Sequence, residues 1–183
     1  MKTLATALAL MAASTLPAAT AQAEVLQASE RGFVTQAEVT IQAGPDAVWG
    51  ALVQPARWWN PQHSWSLDGA NFRMDPRAGG CFCETMPGGG SVEHMRVIQA
   101  VPGRMLRMSG ALGPLQPEAY HGTLSIVLEE AREGETLVTW TYVVGGYGRY
   151  PLGQLAGPVD SVQSEQLGRL ASLLETGSPD MGE

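Results

Sequence analysis

The segment from Gly79 to Arg96 carries the side chains of this sequence that are best suited to chemistry: two cysteines, two glutamates, a histidine and an arginine. In its middle, Pro87 is followed by three glycines. Glycine readily adopts the positive φ angles that tight hairpin turns need. The segment is therefore predicted to form a β-hairpin, in which side chains of facing strands come within about 5 Å of one another. This hairpin is the best candidate for a functional surface.

Two registers of the hairpin are open, and they differ in the side chains that share a face. In the first, Cys83 faces His94 and Cys81 faces Arg96. The second is slipped by one residue, which exchanges the two faces of a strand. It brings together Phe82, Glu84, His94 and Arg96. We favour the second register, because it directs Phe82 towards a cavity and pairs Glu84 with basic neighbours.

Glu84 and His94 are the candidate general acid and base. A glutamate beside a histidine in an apolar cavity can have a shifted pKa and can transfer protons. A partly buried ion pair that orders the sheet is the alternative interpretation. The sequence contains no G-x-S-x-G and no G-x-G-x-x-G between a strand and a helix, so it predicts neither an α/β-hydrolase nor a dinucleotide-binding fold.

Cys81 and Cys83 are the only cysteines of the chain. As alternate residues of an extended strand, their Cα atoms are expected to lie about 6.5–7 Å apart, at or beyond the usual limit for a disulfide. Free buried thiols are the favoured interpretation, and a strained redox pair or an intermolecular disulfide is the alternative. Metal ligation is a third interpretation, but the spacing is too short for an ordinary zinc knuckle, so no metal site is predicted.

The first 23 residues have the features of a secretory signal peptide. Lys2 supplies a positive charge, Leu4 to Ala13 form an apolar run, and Ala21-Gln22-Ala23 is an A-x-A cleavage site. The apolar run is too short to span a bilayer, which takes about 20 residues. We expect cleavage near Ala23 and a periplasmic or secreted protein without a membrane span. A retained membrane anchor is the alternative.

The remaining chain has the length of one domain with a substantial core. We expect a flexible segment over 24–31, a single domain over 32–176 and a disordered tail over 177–183. Lys2 is the only lysine, so the other basic residues are ten arginines, against 18 acidic residues. This balance disfavours nucleic acid as a partner, because phosphate binding requires clustered positive charge.

Hydrophobic periodicity predicts the elements that position the hairpin. Alternating residues predict a first strand over 33–41, and Pro45 begins a short helix that stops at Pro55. A second short helical turn contains Trp58 and Trp59. Turn residues then recur at the regular spacing of an antiparallel meander. The strand-like runs between them are 64–73, 80–86, 91–101, 104–110, 120–130 and 136–145.

The chain ends in an amphipathic pattern. From Pro158 to Thr176 apolar residues follow helical spacing, and Gly177 stands where a helix C-cap belongs. Gly157-Pro158 is expected to separate this helix from a preceding turn over 152–156. An antiparallel sheet with one apolar face must bury that face, and this helix is the only large cover available.

Aromatic residues are candidates for the wall of a binding cavity. Trp140 and Tyr142 share one face of the last strand, and Tyr120 lies on the facing side of the strand before it. Their polar NH and OH groups suit an amphipathic ring, although simple core filling is the alternative. Tyr147 lies in a glycine-rich run that is typical of a hinge or a cavity rim.

Several stretches resemble the START-like superfamily, also called SRPBCC or the birch-pollen-allergen fold. They are similar to its branch of polyketide cyclase-like proteins and homologues of the activator of the heat-shock-protein-90 ATPase. The matching stretches are Pro45-x-x-Val48-Trp49-x-x-Leu52, Trp58-Trp59, Gly79-Gly80-x-Phe82-x-Glu84, Pro102-Gly103 and the final helix from about Val159.

The resemblance implies an α+β helix-grip fold. A curved antiparallel sheet of about six to seven strands wraps around the long C-terminal helix, with two short helices after the first strand. It also implies an apolar cavity without an obligatory cofactor, which favours an exported protein that binds a small apolar or aromatic molecule. The candidate ligand-binding residues are Trp58, Trp59, Phe82, Glu84, His94, Arg96, Tyr120, Trp140, Tyr142 and Tyr147. A cyclase, dehydratase or hydrolase that uses Glu84 or His94 is the second hypothesis, and a protein-interaction module is the third.

Overall fold

A computed structural model describes residues 21–181 of the chain, which form an α+β fold. One antiparallel sheet of eight strands curves around a long C-terminal helix, so the helix-grip prediction is confirmed with more strands than the six to seven expected. In chain order the elements are β1 (Gln22–Ser29), β2 (Gly32–Ile41), α1 (Pro45–Leu52), β3 (Phe72–Met74), β4 (Cys81–Thr85), β5 (Ser91–Val101), β6 (Met105–Gly110), β7 (Ala119–Arg132), β8 (Glu135–Tyr147) and α2 (Leu152–Thr176).

The sheet has the order β1-β2-β8-β7-β6-β5-β4-β3 and one apolar face. Side chains alternate between buried and less buried positions along β2, β7 and β8, as expected for strands with one face on the core. Ile126 pairs with Trp140 and Leu124 with Tyr142, so the predicted apolar wall of β7 and β8 is present. This wall faces α2.

Helix α2 begins six residues earlier than predicted. The structure shows one helix from Leu152 to Thr176 with Pro158 inside it, instead of a turn and a separate helix. A proline removes one backbone donor, but tertiary packing can outweigh that loss, and Leu152 and Ala156 are buried before it. Gly177 caps the C-terminus with φ 83°, as its position in the sequence indicates.

Both chain ends of the described region are more ordered than expected. The segment predicted to be flexible, 24–31, contains most of β1, which pairs with β2 from Gln22↔Glu38 to Ser29↔Gly32. The tail predicted to be disordered returns onto α2, where the Oγ of Ser172 donates to the carbonyl of Asp180 at 3.2 Å. Of the signal peptide predicted over residues 1–23, residues 1–20 lie outside the described residues.

The run 64–73 was expected to be a strand, and this prediction is wrong. Short 3₁₀ turns at Pro61–His63 and Gly69–Asn71 lead into the three-residue β3. Asn60 and Asp68 begin these turns, because their side chains accept hydrogen bonds from the backbone two residues later. Among the described residues, no helix has both the length and the apolar character needed to cross a membrane.

Candidate functional site

A cavity of about 380 Å³ lies between the inner face of the sheet and α2. Two loops border it, one at 62–65 between α1 and β3 and one at 112–115 between β6 and β7. The lining residues are Trp59, Gln62, His63, Ser64, Trp65, His94, Leu112, Gly113, Pro114, Leu115, Trp140, Leu155, Pro158, Val159, Val162, Gln163 and Gln166.

A β-bulge in the β4–β5 hairpin places His94 in this cavity. The pairs around it are Cys81↔Arg96, Phe82↔Met95 and Cys83↔Glu93. His94 is therefore the extra residue of β5, and a bulge of this kind redirects side chains. His94 and its neighbour Met95 are both buried. The hairpin thus combines the two registers considered from the sequence, with the pairing of the first at Cys81 and the inward Glu84 and His94 of the second.

Glu84 is fully buried and its carboxylate is satisfied by hydrogen bonds. Oε1 accepts from the amide of Ser66 at 2.5 Å, and Oε2 accepts from the amide of Trp65 at 3.1 Å and from Nε2 of His94 at 2.9 Å. Burial acts to raise the pKa of Glu84, but the hydrogen bonds from Ser66, Trp65 and His94 outweigh it and hold the pKa below its ordinary value. Ionised Glu84 therefore connects β4 to the backbone of Trp65 and Ser66.

His94 is held in one orientation and one tautomer. Its ring packs against Phe72 and Phe82, with centroid distances of 5.0 and 5.3 Å. Because a carboxylate only accepts hydrogen bonds, Nε2 carries the proton that is donated to Glu84. Burial lowers the pKa of His94 more than the hydrogen bond and charge of Glu84 raise it, so the imidazole is neutral near pH 7. Nδ1 is then an acceptor, and it has no hydrogen-bond partner among residues 21–181.

Three buried N–H donors of the cavity lining lack partners in the described part of the chain: Nε1 of Trp140 and Nε2 of Gln163 and of Gln166. The Oε1 atom of Gln166 accepts from the amide of Asn60 at 2.8 Å, and the Oε1 atom of Gln163 accepts from Oγ1 of Thr35 at 3.2 Å. The amide nitrogens are consequently the unpaired ends. A buried donor without an acceptor costs about 1–3 kcal/mol, so three at one cavity suggest that oxygen atoms of a ligand complete them.

The aromatic candidates divide into a lining and a supporting layer. Trp59 and Trp140 line the cavity, and Trp58 packs against both, with centroid distances of 5.5 and 5.9 Å. Phe82 lies behind Trp59 at 5.2 Å. Tyr142 is buried as well, and its hydroxyl is occupied by the carbonyl of Gly110 and the amide of Leu112.

Three other candidates lie away from the cavity. Tyr120 is buried, and its hydroxyl donates to the carbonyl of Tyr150. Tyr147 is 85% exposed at the end of β8 and does not line the cavity. Arg96 lies on the outer face of β5, where it donates to the carbonyl of Gly79 at 3.0 Å and pairs with Glu93. The expectation that Arg96 and Tyr147 would face the ligand is corrected, in the case of Arg96 because the bulge reverses the alternation after His94.

Cys81 and Cys83 form a disulfide, so the preference for free thiols is corrected. Their Cα atoms lie 5.4 Å apart, closer than the separation expected for an extended strand. The register shift between Phe82 and Cys83 disturbs the regular extended geometry on which that expectation depended. The disulfide is beside Glu93 on the hairpin, away from the lining of the cavity.

Gln163 and Gln166 are the functional candidates that sequence reasoning missed. Both lie on the face of α2 that carries Val159, Val162 and Leu170, at spacings of three and four residues. Polar residues within an apolar helical stripe were available as a signal, because such residues are rarely buried without a partner. The structure buries both side chains.

Comparison with known proteins identifies a family. The family model described as polyketide cyclase / dehydrase and lipid transport matches residues 33–175. No curated protein is similar enough in sequence to match this chain.

Solved structures support the same fold. A conserved protein of unknown function from Enterococcus faecalis has a TM-score of 0.59 at 16% identity, covering 83% of this chain and 75% of its own. CalU16 from Micromonospora echinospora has a TM-score of 0.55 at 17% identity, covering 90% and 88%. Ara h 8.0201 has a TM-score of 0.53 at 12% identity, covering 76% and 95%. Since the family model spans nearly the whole described fold, this chain belongs to the polyketide cyclase / dehydrase and lipid transport family.

Proposed function

We propose that this protein is exported and binds a small, largely apolar molecule that carries oxygen acceptors. The observation that carries the proposal is the cavity between sheet and helix, in which an apolar wall surrounds three buried N–H donors that have no partner within residues 21–181. A volume of about 380 Å³ falls within the range of about 300–1,000 Å³ that is usual for small-molecule sites.

The chemistry of the lining indicates how such a molecule would be held. Trp59, Trp140, Leu115 and Val159 offer apolar surface, and its removal from water contributes about 25 cal/mol per Å². The donors of Trp140, Gln163 and Gln166 would each add about 1 kcal/mol for a well-placed oxygen atom. The apolar wall therefore supplies most of the affinity, and the donors supply orientation.

The family description, which names polyketide cyclases, dehydrases and lipid transport, supports a small hydrophobic ligand of this kind. A protein-interaction module, the third hypothesis, has less support, because the unpaired donors belong to buried side chains and not to an exposed face.

A pair of adjacent variants on α2 tests the binding site. Val162 lines the cavity, whereas Ser161 is exposed on the same helix. Val162→Trp should fill the cavity and weaken binding of a neutral fluorescent naphthyl ketone at least about ten-fold, a loss of about 1.4 kcal/mol. Ser161→Trp introduces the same side chain outside the cavity and should leave the Kd unchanged. Equal affinities in Val162→Trp and the wild type, measured by fluorescence titration, would contradict the proposed site.

A further inference from the structure

The cavity contains a base as well as hydrogen-bond donors. In the neutral tautomer described above, the lone pair of His94 Nδ1 has no donor among residues 21–181. His94 lines the same cavity as Trp140, Gln163 and Gln166. A base and a set of donors around one bound molecule are the two components needed to remove a proton from carbon next to a carbonyl group.

We propose that His94 abstracts a proton from the carbon atom next to a carbonyl of the bound molecule, with Glu84 as its positioning residue. This inference rests on the proposed binding function and adds an activity to it. Nδ1 takes the proton, the C–H electron pair forms the carbon–carbon double bond of an enolate, and the carbonyl π electrons move to oxygen. The donors of Trp140, Gln163 and Gln166 are the groups available to stabilise that oxygen. Return of a proton from the imidazolium restores the ketone, so the cycle needs no oxidant or reductant.

The surroundings of His94 suit it to this role. Phe72 and Phe82 restrict the ring, and the Glu84 carboxylate compensates the positive charge that forms when Nδ1 is protonated. Glu84 is in turn fixed by the amides of Trp65 and Ser66, so it holds the ring and does not reach the ligand itself. Of the other titratable groups, Glu93 points to the outer face, and His63 lines the cavity at its exposed loop, paired with Glu165 at 2.9 Å.

Deuterium exchange at the carbon next to the carbonyl of 2-tetralone, a bicyclic ketone with one aromatic ring, tests the proposal with the purified protein. In D₂O the wild type should accelerate exchange by at least about 100-fold over buffer at saturating protein, the lower end expected for general base catalysis. His94→Gln should lose that acceleration while its Kd for 2-tetralone stays within about three-fold, because an amide nitrogen can still donate to Glu84. His121→Gln, an exposed histidine on β7 bonded to Ser109, should exchange like the wild type.

A pH profile distinguishes the positioning role of Glu84 from a purely structural one. The wild-type rate should fall as His94 is protonated below its depressed pKa. Glu84→Gln removes the carboxylate that favours the imidazolium, so the midpoint of that fall should move to lower pH and the plateau rate should decrease. Nitrogen-15 NMR of the ring should show Nε2 protonated and Nδ1 unprotonated at pH 7, whether or not exchange is observed.

The outcomes separate this inference from the binding function. If 2-tetralone does not bind the wild type, both are overturned. If it binds and exchange is no faster than in buffer, the inference fails and the binding site stands. If His94→Gln retains the accelerated exchange, the base lies elsewhere and the assignment of His94 is overturned. Loss of exchange in a His63→Gln variant, with exchange retained in His94→Gln, would overturn it in the same way.

Discussion

At the scale of single residues, the Glu84–His94 pair is the most constrained polar feature of the interior. Both side chains are buried, and besides each other their polar partners within residues 21–181 are the backbone amides of Trp65 and Ser66. Removing one partner of such a network leaves a buried group unsatisfied, which costs more than the hydrogen bond contributed. The pair consequently affects stability as well as the chemistry of the cavity.

Glu84→Gln should lower the free energy of unfolding by about 2–4 kcal/mol at pH 7, because an amide nitrogen would face the amide donors of Trp65 or Ser66. The folded-state pKa of Glu84 lies below its ordinary value, so the contribution of its charge is complete above about pH 4.5. It is lost as the pH falls through the folded-state pKa, and the difference between variant and wild type should shrink there. Urea denaturation at pH 7 and below pH 4 measures both quantities.

Glu93→Gln is the matched control. Glu93 is on the same hairpin, but it is exposed and forms a surface ion pair with Arg96. Exposed ion pairs contribute about 0–1 kcal/mol, so this variant should unfold nearly like the wild type. A Glu93→Gln variant as unstable as Glu84→Gln would show that the burial of Glu84 is not the cause.

At the scale of elements, the strands that alternate cleanly were predictable and the irregular ones were not. β2, β7 and β8 have one apolar face and regular alternation, so their positions follow from the sequence. The bulge at His94 is not encoded by any local pattern, since it depends on the pairing of β4 with β5. The strand predicted over 64–73 is interrupted because Asp68 begins the 3₁₀ turn at Gly69–Asn71. A sequence alone could therefore nominate Glu84 and His94 but could not determine on which side Arg96 lies.

Gly122 on β7 links the sheet to the cavity loop through Tyr142. A Cβ atom at Gly122 would lie 2.4 Å from Cε2 of the Tyr142 ring. The hydroxyl of this ring is hydrogen-bonded to the carbonyl of Gly110 and the amide of Leu112. Gly122→Ala should therefore displace the ring, destabilise the fold by about 1–3 kcal/mol and weaken ligand binding through the 112–115 loop. Thermal unfolding and the naphthyl ketone titration measure the two effects.

Gly145→Ala provides the control for that variant. Gly145 is in β8, and a Cβ atom there would meet its nearest neighbour, the carbonyl oxygen of Arg31, at an ordinary 3.6 Å. We expect a small change in stability and an unchanged Kd. If both glycine variants behave alike, the contact with Tyr142 is not what the substitution disturbs.

At the scale of the whole molecule, the proposed export has to be compatible with two features of the fold: strand β1 at the N-terminal end and the disulfide. Cleavage after Ala23 would leave the pairs from Glu24↔Gln36 to Ser29↔Gly32 in place, so most of β1 would remain in the sheet. A disulfide between Cys81 and Cys83 suits an oxidising compartment, because cytosolic thiols are kept reduced. Export and disulfide formation are thus compatible with one mature form.

The intact mass of the protein, purified from the periplasmic fraction or the medium, tests both the cleavage after Ala23 and the disulfide. We expect a chain that begins at Glu24 and is two hydrogens lighter than the fully reduced sequence. Reduction followed by thiol alkylation should then add two labels. A product that retains residues 1–23 would contradict cleavage, and alkylation without prior reduction would contradict the disulfide.

The extra residue at the bulge has a consequence for comparing this protein with its relatives. Because His94 is the extra residue of β5 opposite β4, a related chain shorter by one residue at this point could keep the same eight-stranded sheet and lose the inward imidazole. Overall structural likeness would not reveal the loss. Members of the family could instead be sorted by strand length at this position, into those that carry a cavity base and those that only enclose a ligand.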